Sequence, residues 1–262
     1  MSDIGLKFRE LKERGERALI VYLVAGDPYI EYSREFIRAL EAGGADMIGI
    51  GVPSSQLIVE SPVVWDAHLR ALNADITLQD VLNLIEEVRR TSEIPIILIS
   101  YYNPILKMGE WMFMERCGEL KVDGVMVVDL PLEEGEDYSE RARRNGIAPI
   151  FSLSPRSGSN RIMAIGARRN GFLHLIGVEM DEQGAAQTWI GELRPQLPER
   201  LPLVIECRGT SIDQAGIAAL LRLGVDGVII WDALVERIGR GENLEQIQWY
   251  IGELKGGTTI GG

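Results

Sequence analysis

The chain has 262 residues, of which 46% are hydrophobic and 25% are charged, and its formal net charge is -12. These values are typical of a single globular domain, and the acidic surface argues against binding to nucleic acid or to an anionic membrane, because phosphates would be repelled. No apolar run approaches the ~18 residues of a membrane-spanning helix, and the N-terminus lacks the pattern of a signal peptide, so we expect a cytoplasmic protein.

Eight short apolar runs, rich in Ile, Val and Leu, follow one another along the chain. They show little polar alternation, which is typical of parallel strands that are buried on both faces of a sheet. The predicted strands span residues 18–24, 47–50, 94–100, 124–128, 148–153, 172–176, 202–205 and 227–230.

Segments with helical periodicity lie between these runs. Phe36, Ile37 and Leu40, for example, are spaced to share one helix face, with charged residues on the other. Thr77 precedes an acidic first turn and is predicted to be an N-cap. The predicted helices span residues 32–42, 78–88, 134–144, 212–223 and 244–254.

Eight strands that alternate with helices predict a (β/α)8 TIM barrel of the α/β class, formed by one domain over residues 1–262. An open doubly wound sheet is the competing architecture, but such sheets usually have fewer strands. A weak internal echo supports repeated βα units: Gly44-Ala45-Asp46, Val122-Asp123-Gly124 and Val225-Asp226-Gly227 each lead from a helix end into a strand. The Gly-rich residues 256–262 are expected to form a flexible tail.

Neither a metal nor a cofactor is expected. Cys117, Cys207, His68 and His174 are the only cysteines and histidines, and they form no CxxC or HxxxH pattern. The first strand runs into Ala25-Gly26-Asp27-Pro28, which is not the GxGxxG fingerprint of a dinucleotide site. Asp27 itself is interpreted first as a turn residue.

Several motifs, in order and over residues 18–240, resemble the α chain of tryptophan synthase. The motifs that carry the resemblance are Ala25-Gly26-Asp27-Pro28, Gly51-Val52-Pro53-Ser54-Ser55, Ser61-Pro62, Tyr101-Tyr102-Asn103-Pro104-Ile105, Asp129-Leu130-Pro131-Leu132-Glu133-Glu134 and Ala148-Pro149-Ile150-Phe151.

The resemblance implies a TIM barrel with an extra N-terminal helix, here within residues 1–15, and a site at the carboxyl ends of the strands. It also implies a lyase that cleaves indole-3-glycerol phosphate to indole and glyceraldehyde 3-phosphate, in tryptophan biosynthesis. The family passes its indole to a β partner chain.

The chain departs from the family at the residues that carry this chemistry. The family's general acid/base, a Glu at the end of strand two, corresponds to Gly49, and its second carboxylate, an Asp, corresponds to Glu60. A missing acid/base costs roughly 10² to 10⁴ in rate. Residues 53–58 also differ from the family's loop that meets the β chain, which counts against a β partner for this chain.

The family's phosphate-binding turns have changed as well. A Gly-Ser pair after strand eight corresponds to Trp231-Asp232, and a Gly-Phe-Gly turn after strand seven corresponds to Cys207-Arg208-Gly209. Trp231 is bulky, and Asp232 would repel a phosphate while capping the helix that follows it. We therefore expect Asp232 to occupy the family's phosphate position, with Arg208 close enough to pair with it.

These changes suggest a set of candidate residues, each with a structural alternative. His174 is either a core residue or a titratable group in the site. Arg208 either pairs with Glu206 or Asp232, or clamps a ligand carboxylate, Asp129 is either structural or functional, and Cys207 is interpreted as a buried small residue rather than a nucleophile. The candidate catalytic residues are Glu60, Asp129 and His174, and the candidate ligand-binding residues are Tyr22, Tyr101, Asn103, Arg208, Trp231 and Asp232.

Three hypotheses follow for the function. The first is a diverged α-chain-like barrel that has lost the lyase reaction and binds a different small molecule, as an enzyme of altered specificity with Glu60, Asp129 or His174 as its acid/base. The second is the lyase reaction, retained by a substituted acid/base. The third is a binding or regulatory protein without chemistry, a pseudoenzyme.

Overall fold

The computed structural model describes residues 3–56, 61–132, 134–166, 171–178 and 184–259. Eight strands form the centre of the molecule. They are β1 (Ala18–Val24), β2 (Met47–Gly51), β3 (Ile96–Ser100), β4 (Gly124–Val127), β5 (Ala148–Leu153), β6 (Leu173–Leu175), β7 (Leu203–Cys207) and β8 (Gly227–Ile230).

The strands are surrounded by helices, with a short 3-10 helix at Arg194–Gln196. The α-helices are α1 (Asp3–Glu13), α2 (Ile30–Ala42), α3 (Pro62–Asn73), α4 (Leu78–Arg89), α5 (Tyr102–Met108), α6 (Glu110–Glu119), α7 (Glu136–Arg144), α8 (Ser159–Gly166), α9 (Ala185–Leu193), α10 (Gln214–Leu221), α11 (Asp232–Gly239) and α12 (Leu244–Gly256).

All eight strands are parallel, each pairs with the next, and β8 pairs with β1 to close the barrel. The predicted (β/α)8 fold is therefore confirmed. In the register of β1 and β2, Tyr22 lies opposite Gly49. The predicted N-cap is also present, because Thr77 and Asp80 form a reciprocal capping box at the start of α4.

Successive residues of each strand enter two different hydrophobic cores. In β1, Leu19 and Val21 pack in the layer between barrel and helices, whereas Ile20 and Tyr22 point into the barrel interior. Both kinds of position are buried, which explains why the strands lack polar alternation. Helix α1 closes the amino end of the barrel, where Phe8 lies 6.0 Å edge-to-face from Phe172.

The aspartates of the sequence echo form a repeated contact at this amino end. The carboxylates of Asp46, Asp123 and Asp226 accept the backbone N–H of Leu19, Ile96 and Leu203 at 2.8, 2.9 and 2.9 Å. Each aspartate N–H in turn donates to the carbonyl of the same strand residue. The repeated motif thus joins the start of one strand to the turn before its neighbour.

The C-terminal segment differs from the expected tail. Residue 256 still belongs to α12, Thr258 is fully buried, and Thr259 forms an antiparallel bridge with Glu16. Arg17 also donates its N–H to the Thr258 carbonyl at 3.0 Å. The chain is thus packed against the amino end of the barrel as far as residue 259.

Candidate functional site

Strand β2 has no side chain at residue 49, its central position, and the side chains of Ile99 and Tyr22 lie beside that position. A Cβ built on Gly49 would lie 3.0 Å from Ile99 Cδ1 and 3.6 Å from Tyr22 Cδ2. Two residues later, a Cβ on Gly51 would overlap the Tyr22 hydroxyl. Glycine at residue 51 therefore makes room for the Tyr22 ring.

Tyr22 is held by a histidine that sequence analysis did not select. Its hydroxyl lies 3.1 Å from His68 Nε2, while the Ser54 backbone N–H donates to His68 Nδ1 at 3.1 Å. Because a backbone N–H can only donate, neutral His68 carries its proton on Nε2 and donates it to Tyr22. Burial lowers the pKa of His68 to about 4, so the ring is neutral at neutral pH.

His68 could have been found by its position within a helix. It shares the buried face of α3 with Val64, Ala67 and Ala71, and a polar residue among apolar ones on such a face needs a partner. That signal was missed because the helix over Pro62–Asn73 was not predicted.

Trp231 fills the barrel interior next to Tyr22. The two ring centroids are 4.1 Å apart, the Arg208 guanidinium lies 5.3 Å from the Trp231 ring centroid, and the His174 ring is 6.0 Å away. Trp231 is only 2% exposed. Three of the predicted ligand-binding residues are therefore brought together with one predicted catalytic residue.

His174 is buried beside Ser152 and Glu206. Its Nδ1 lies 3.1 Å from Ser152 Oγ, and its Nε2 lies 4.0 Å from Glu206 Oε2, which is too long for a hydrogen bond. Burial lowers the pKa of His174 to about 4, although the Glu206 charge acts in the opposite direction. His174 is therefore a neutral ring at neutral pH.

Glu206 joins the ends of two neighbouring strands, β6 and β7, at this site. Its Oε1 accepts the Gly177 backbone N–H at 3.0 Å, and its Oε2 accepts from Arg208 Nε at 3.0 Å. The ion pair proposed as one alternative for Arg208 is thus present with Glu206. Neighbouring Cys207 is buried, and burial raises the pKa of its thiol to about 11, so it is protonated at neutral pH.

Asp232 is buried, as expected for a residue that faces the site, but its contacts differ from those expected. It does not cap α11; it is the first residue of that helix, and no side-chain cap is present there. Its two carboxylate oxygens accept from Ser61 Oγ at 2.8 Å and from the Gly209 backbone N–H at 2.9 Å. Both carboxylate oxygens therefore bond to neighbouring loops, Ser61 before α3 and Gly209 after β7.

Two ring nitrogens in this region have no hydrogen-bond partner among the residues that the structure describes. They are Trp231 Nε1 and His174 Nε2, and we call them the nitrogen pair. Leaving a buried polar group without a partner costs about 1–3 kcal/mol. The nitrogen pair therefore marks a position where a polar molecule would be stabilised.

The other candidates lie on the β3 and β4 side of the barrel. Asp129 accepts the Tyr102 backbone N–H at 2.7 Å, so it supports the start of α5. Tyr101 is buried and Asn103 is partly buried. Glu60 lies outside the described residues. Asp27 forms a two-pronged ion pair with Arg70 at 2.6 and 2.9 Å, in line with a structural role.

Among the described residues, no cluster of three His, Cys, Asp or Glu side chains could hold a metal ion. Within the same residues, no helix is long and apolar enough to cross a membrane.

Comparisons with known proteins identify the family. The family model described as "Tryptophan synthase alpha chain" matches residues 8–255. A tryptophan synthase alpha chain from Geotalea uraniireducens is 36% identical over 271 residues, covering 100% of both chains. One from Picosynechococcus is 34% identical over 260 residues, covering 97% of this chain and 98% of the relative.

Solved structures agree with these matches. The tryptophan synthase subunit alpha of Legionella pneumophila superposes with a TM-score of 0.89 at 29% identity, covering 98% of each chain. A tryptophan synthase complex from Pyrococcus furiosus contains a chain with a TM-score of 0.83 at 30% identity, covering 91% of this chain and 98% of that one. The chain therefore belongs to the tryptophan synthase alpha chain family.

Proposed function

We propose that this family member binds a small molecule at the carboxyl end of its barrel and has lost the family's cleavage of indole-3-glycerol phosphate. One observation carries the proposal: the position that corresponds to the catalytic Glu is Gly49, and the adjacent space is lined by Ile99 and Tyr22. Glycine has no side chain that can transfer a proton, so the reaction lacks its general acid/base.

The phosphate end of the site supports the same proposal. The Gly209 backbone N–H, which belongs to a turn that resembles a phosphate-binding turn, donates to Asp232 instead. A phosphate at that amide would have to displace a buried carboxylate and approach its negative charge. Phosphate esters should therefore bind poorly here.

The second candidate function is the lyase reaction itself, retained by a substituted acid/base. The comparisons favour it, because relatives at 34–36% identity over essentially the full chain carry the tryptophan synthase alpha chain name. Taken alone, they support this reaction better than its loss. Glu60, Asp129 and His174 are the candidates for the substituted group. No comparison supports the third hypothesis, a pseudoenzyme without chemistry.

A partner chain belongs to this second candidate. The Pyrococcus furiosus relative was solved in a tryptophan synthase complex, so the relatives weaken our doubt about a β-type partner. A cytoplasmic location is also part of the proposal, and the acidic composition suits it.

The deciding experiment measures indole released from indole-3-glycerol phosphate, with and without a tryptophan synthase β chain. We compare the wild-type chain and Gly49→Glu with a family α chain that has a Glu at the matching position. We expect wild-type rates lower than that α chain by about 10² to 10⁴ or more. Gly49→Glu alone should not restore activity, because Asp232 still occupies the Gly209 amide.

Wild-type turnover comparable to that of the family α chain would overturn the proposal and establish the lyase. In that case Glu60→Gln, Asp129→Asn and His174→Gln would identify the substituted acid/base.

A further inference from the structure

The nitrogen pair places two unsatisfied hydrogen-bonding groups side by side in the barrel interior. Both side chains are almost completely buried, Trp231 at 2% and His174 at 3% exposure. Neither nitrogen has a hydrogen-bond partner within the described residues. Two such groups with ring centroids only 6.0 Å apart point to one molecule that satisfies both.

The hydrogen-bonding character of the pair restricts what that molecule offers. The indole Nε1 of Trp231 can only donate. Glu206 Oε2 lies 4.0 Å from His174 Nε2, and its negative charge favours the tautomer with the proton on Nε2, with Ser152 then donating to Nδ1. Both nitrogens are then N–H donors, so the bound group must be an acceptor.

Glu206 distinguishes between possible acceptors. A hydroxyl oxygen can accept from the N–H groups and also donate its own hydrogen to the carboxylate. A carbonyl or an anionic oxygen has no hydrogen to donate and would face the Glu206 charge. The arrangement therefore favours an alcohol, with one hydroxyl or two neighbouring hydroxyls.

The charges of the site favour an uncharged molecule. Glu206 and Asp232 are carboxylates, and Arg208, which pairs with Glu206, is the nearby cation among the described residues. Their sum is one negative charge, and the neutral His174 ring adds none. An anionic ligand would be repelled in this buried setting, where charges are poorly screened.

We propose, building on the function proposed above, that the buried end of this site binds an uncharged, hydroxyl-bearing molecule rather than a phosphate ester. Trp231 and His174 donate to its oxygen, and Glu206 accepts from its hydroxyl. Asp232 takes the place that a ligand phosphate would otherwise occupy at the Gly209 amide.

The test compares glycerol with glycerol 3-phosphate, which differ only in the phosphate. The chain has two histidines, so the ring C–H signals of His174 and His68 can be assigned in NMR spectra with one His68→Gln variant. We expect a saturable shift of the His174 signal with glycerol, and a dissociation constant at least about tenfold higher for glycerol 3-phosphate.

Three variants sharpen the test. Trp231→Phe keeps a large ring but removes the N–H, and should weaken glycerol binding about threefold to tenfold. Trp249→Phe, at a tryptophan that is 65% exposed, is the matched control and should leave binding unchanged. Asp232→Asn removes the negative charge and should strengthen glycerol 3-phosphate binding relative to glycerol.

Any of three results would overturn the inference: equal or tighter binding of glycerol 3-phosphate by the wild type, no effect of Trp231→Phe in a folded protein, or no saturable shift with glycerol. The last result would mean that water alone satisfies the nitrogen pair. Indole release tests the proposed function separately, so an active lyase that prefers glycerol to its phosphate would contradict only the loss of the reaction.

Discussion

At both ends of the barrel, aspartate carboxylates accept backbone N–H groups, but the further partners of these aspartates differ. At the amino end, Asp46, Asp123 and Asp226 each accept a strand backbone N–H and also pair with a cation, Lys255, Arg89 and Arg194 respectively. At the carboxyl end, Asp232 accepts a backbone N–H and a hydroxyl, and no cation pairs with it among the described residues.

The two ends also differ in the partners of their polar side chains. The aspartates of the amino end have both backbone and ionic partners, and they repeat from one βα unit to another. The carboxyl end contains the nitrogen pair and both histidines of the chain. The comparison teaches that the repeated aspartates of the amino end are placed for stability, whereas the carboxyl end includes two ring nitrogens that the described residues do not satisfy.

The largest effect is expected from breaking the amino-end contact. Asp123→Ala leaves Arg89, whose side chain is 13% exposed, without this carboxylate, and it leaves the Ile96 N–H without its acceptor. Breaking a buried pair of this kind costs about 3–5 kcal/mol in the free energy of unfolding. Urea unfolding measures it, and Asp213→Ala, which removes an exposed helix N-cap, is the control at about 1 kcal/mol. Equal losses in the two variants would contradict this ranking.

The next largest effect is expected from lowering the pH, which tests His174 at the carboxyl end of the barrel. The pKa of His174 is lowered from 6.5 to about 4 by burial, so the unfolded chain binds a proton first as the pH falls. Stability should therefore fall between pH 6.5 and 4, by about 3 kcal/mol for this residue.

The measurement is urea unfolding at a series of pH values in the wild type and in His174→Gln. The variant should lose less stability across that window. The His68 contribution should persist in it, because burial lowers the His68 pKa to about 4 as well. An unchanged slope in His174→Gln would show that His174 is not the buried neutral ring described here.

The smallest effect is expected from Asp232→Asn. The asparagine oxygen can still accept one of the two hydrogen bonds, from Ser61 or Gly209, but the charge is lost. Hydrogen bonds to charged groups exceed neutral ones by roughly 1 kcal/mol, so we expect a destabilisation of about that size in urea unfolding. A loss as large as that of Asp123→Ala would remove the distinction between the two ends.

The local pattern of apolar residues was sufficient to predict most strands of the barrel. Strands β1, β5 and β8 begin and end at the predicted residues, since continuous runs of Ile, Val and Leu are buried on both faces. Helix α3 was missed, although Ser61 caps its first turn and Pro62 starts it. The predicted tail begins at residue 256, but the chain is still packed at Thr258. The burial of Thr258 depends on contacts with the distant N-terminal region, which no local pattern shows.

The sequence by itself determined the repeated βα architecture, the family, and the absence of a carboxylate at Gly49, because these depend on residue type and order. Only the tertiary structure decided which side chains meet. It paired Tyr22 with His68 and turned Asp232 from its own helix to the Gly209 amide. It also placed Trp231 and His174 together, with Trp231 Nε1 and His174 Nε2 lacking a hydrogen-bond partner in the described chain. These contacts join residues far apart in the chain, so their geometry follows from barrel closure and not from any local pattern.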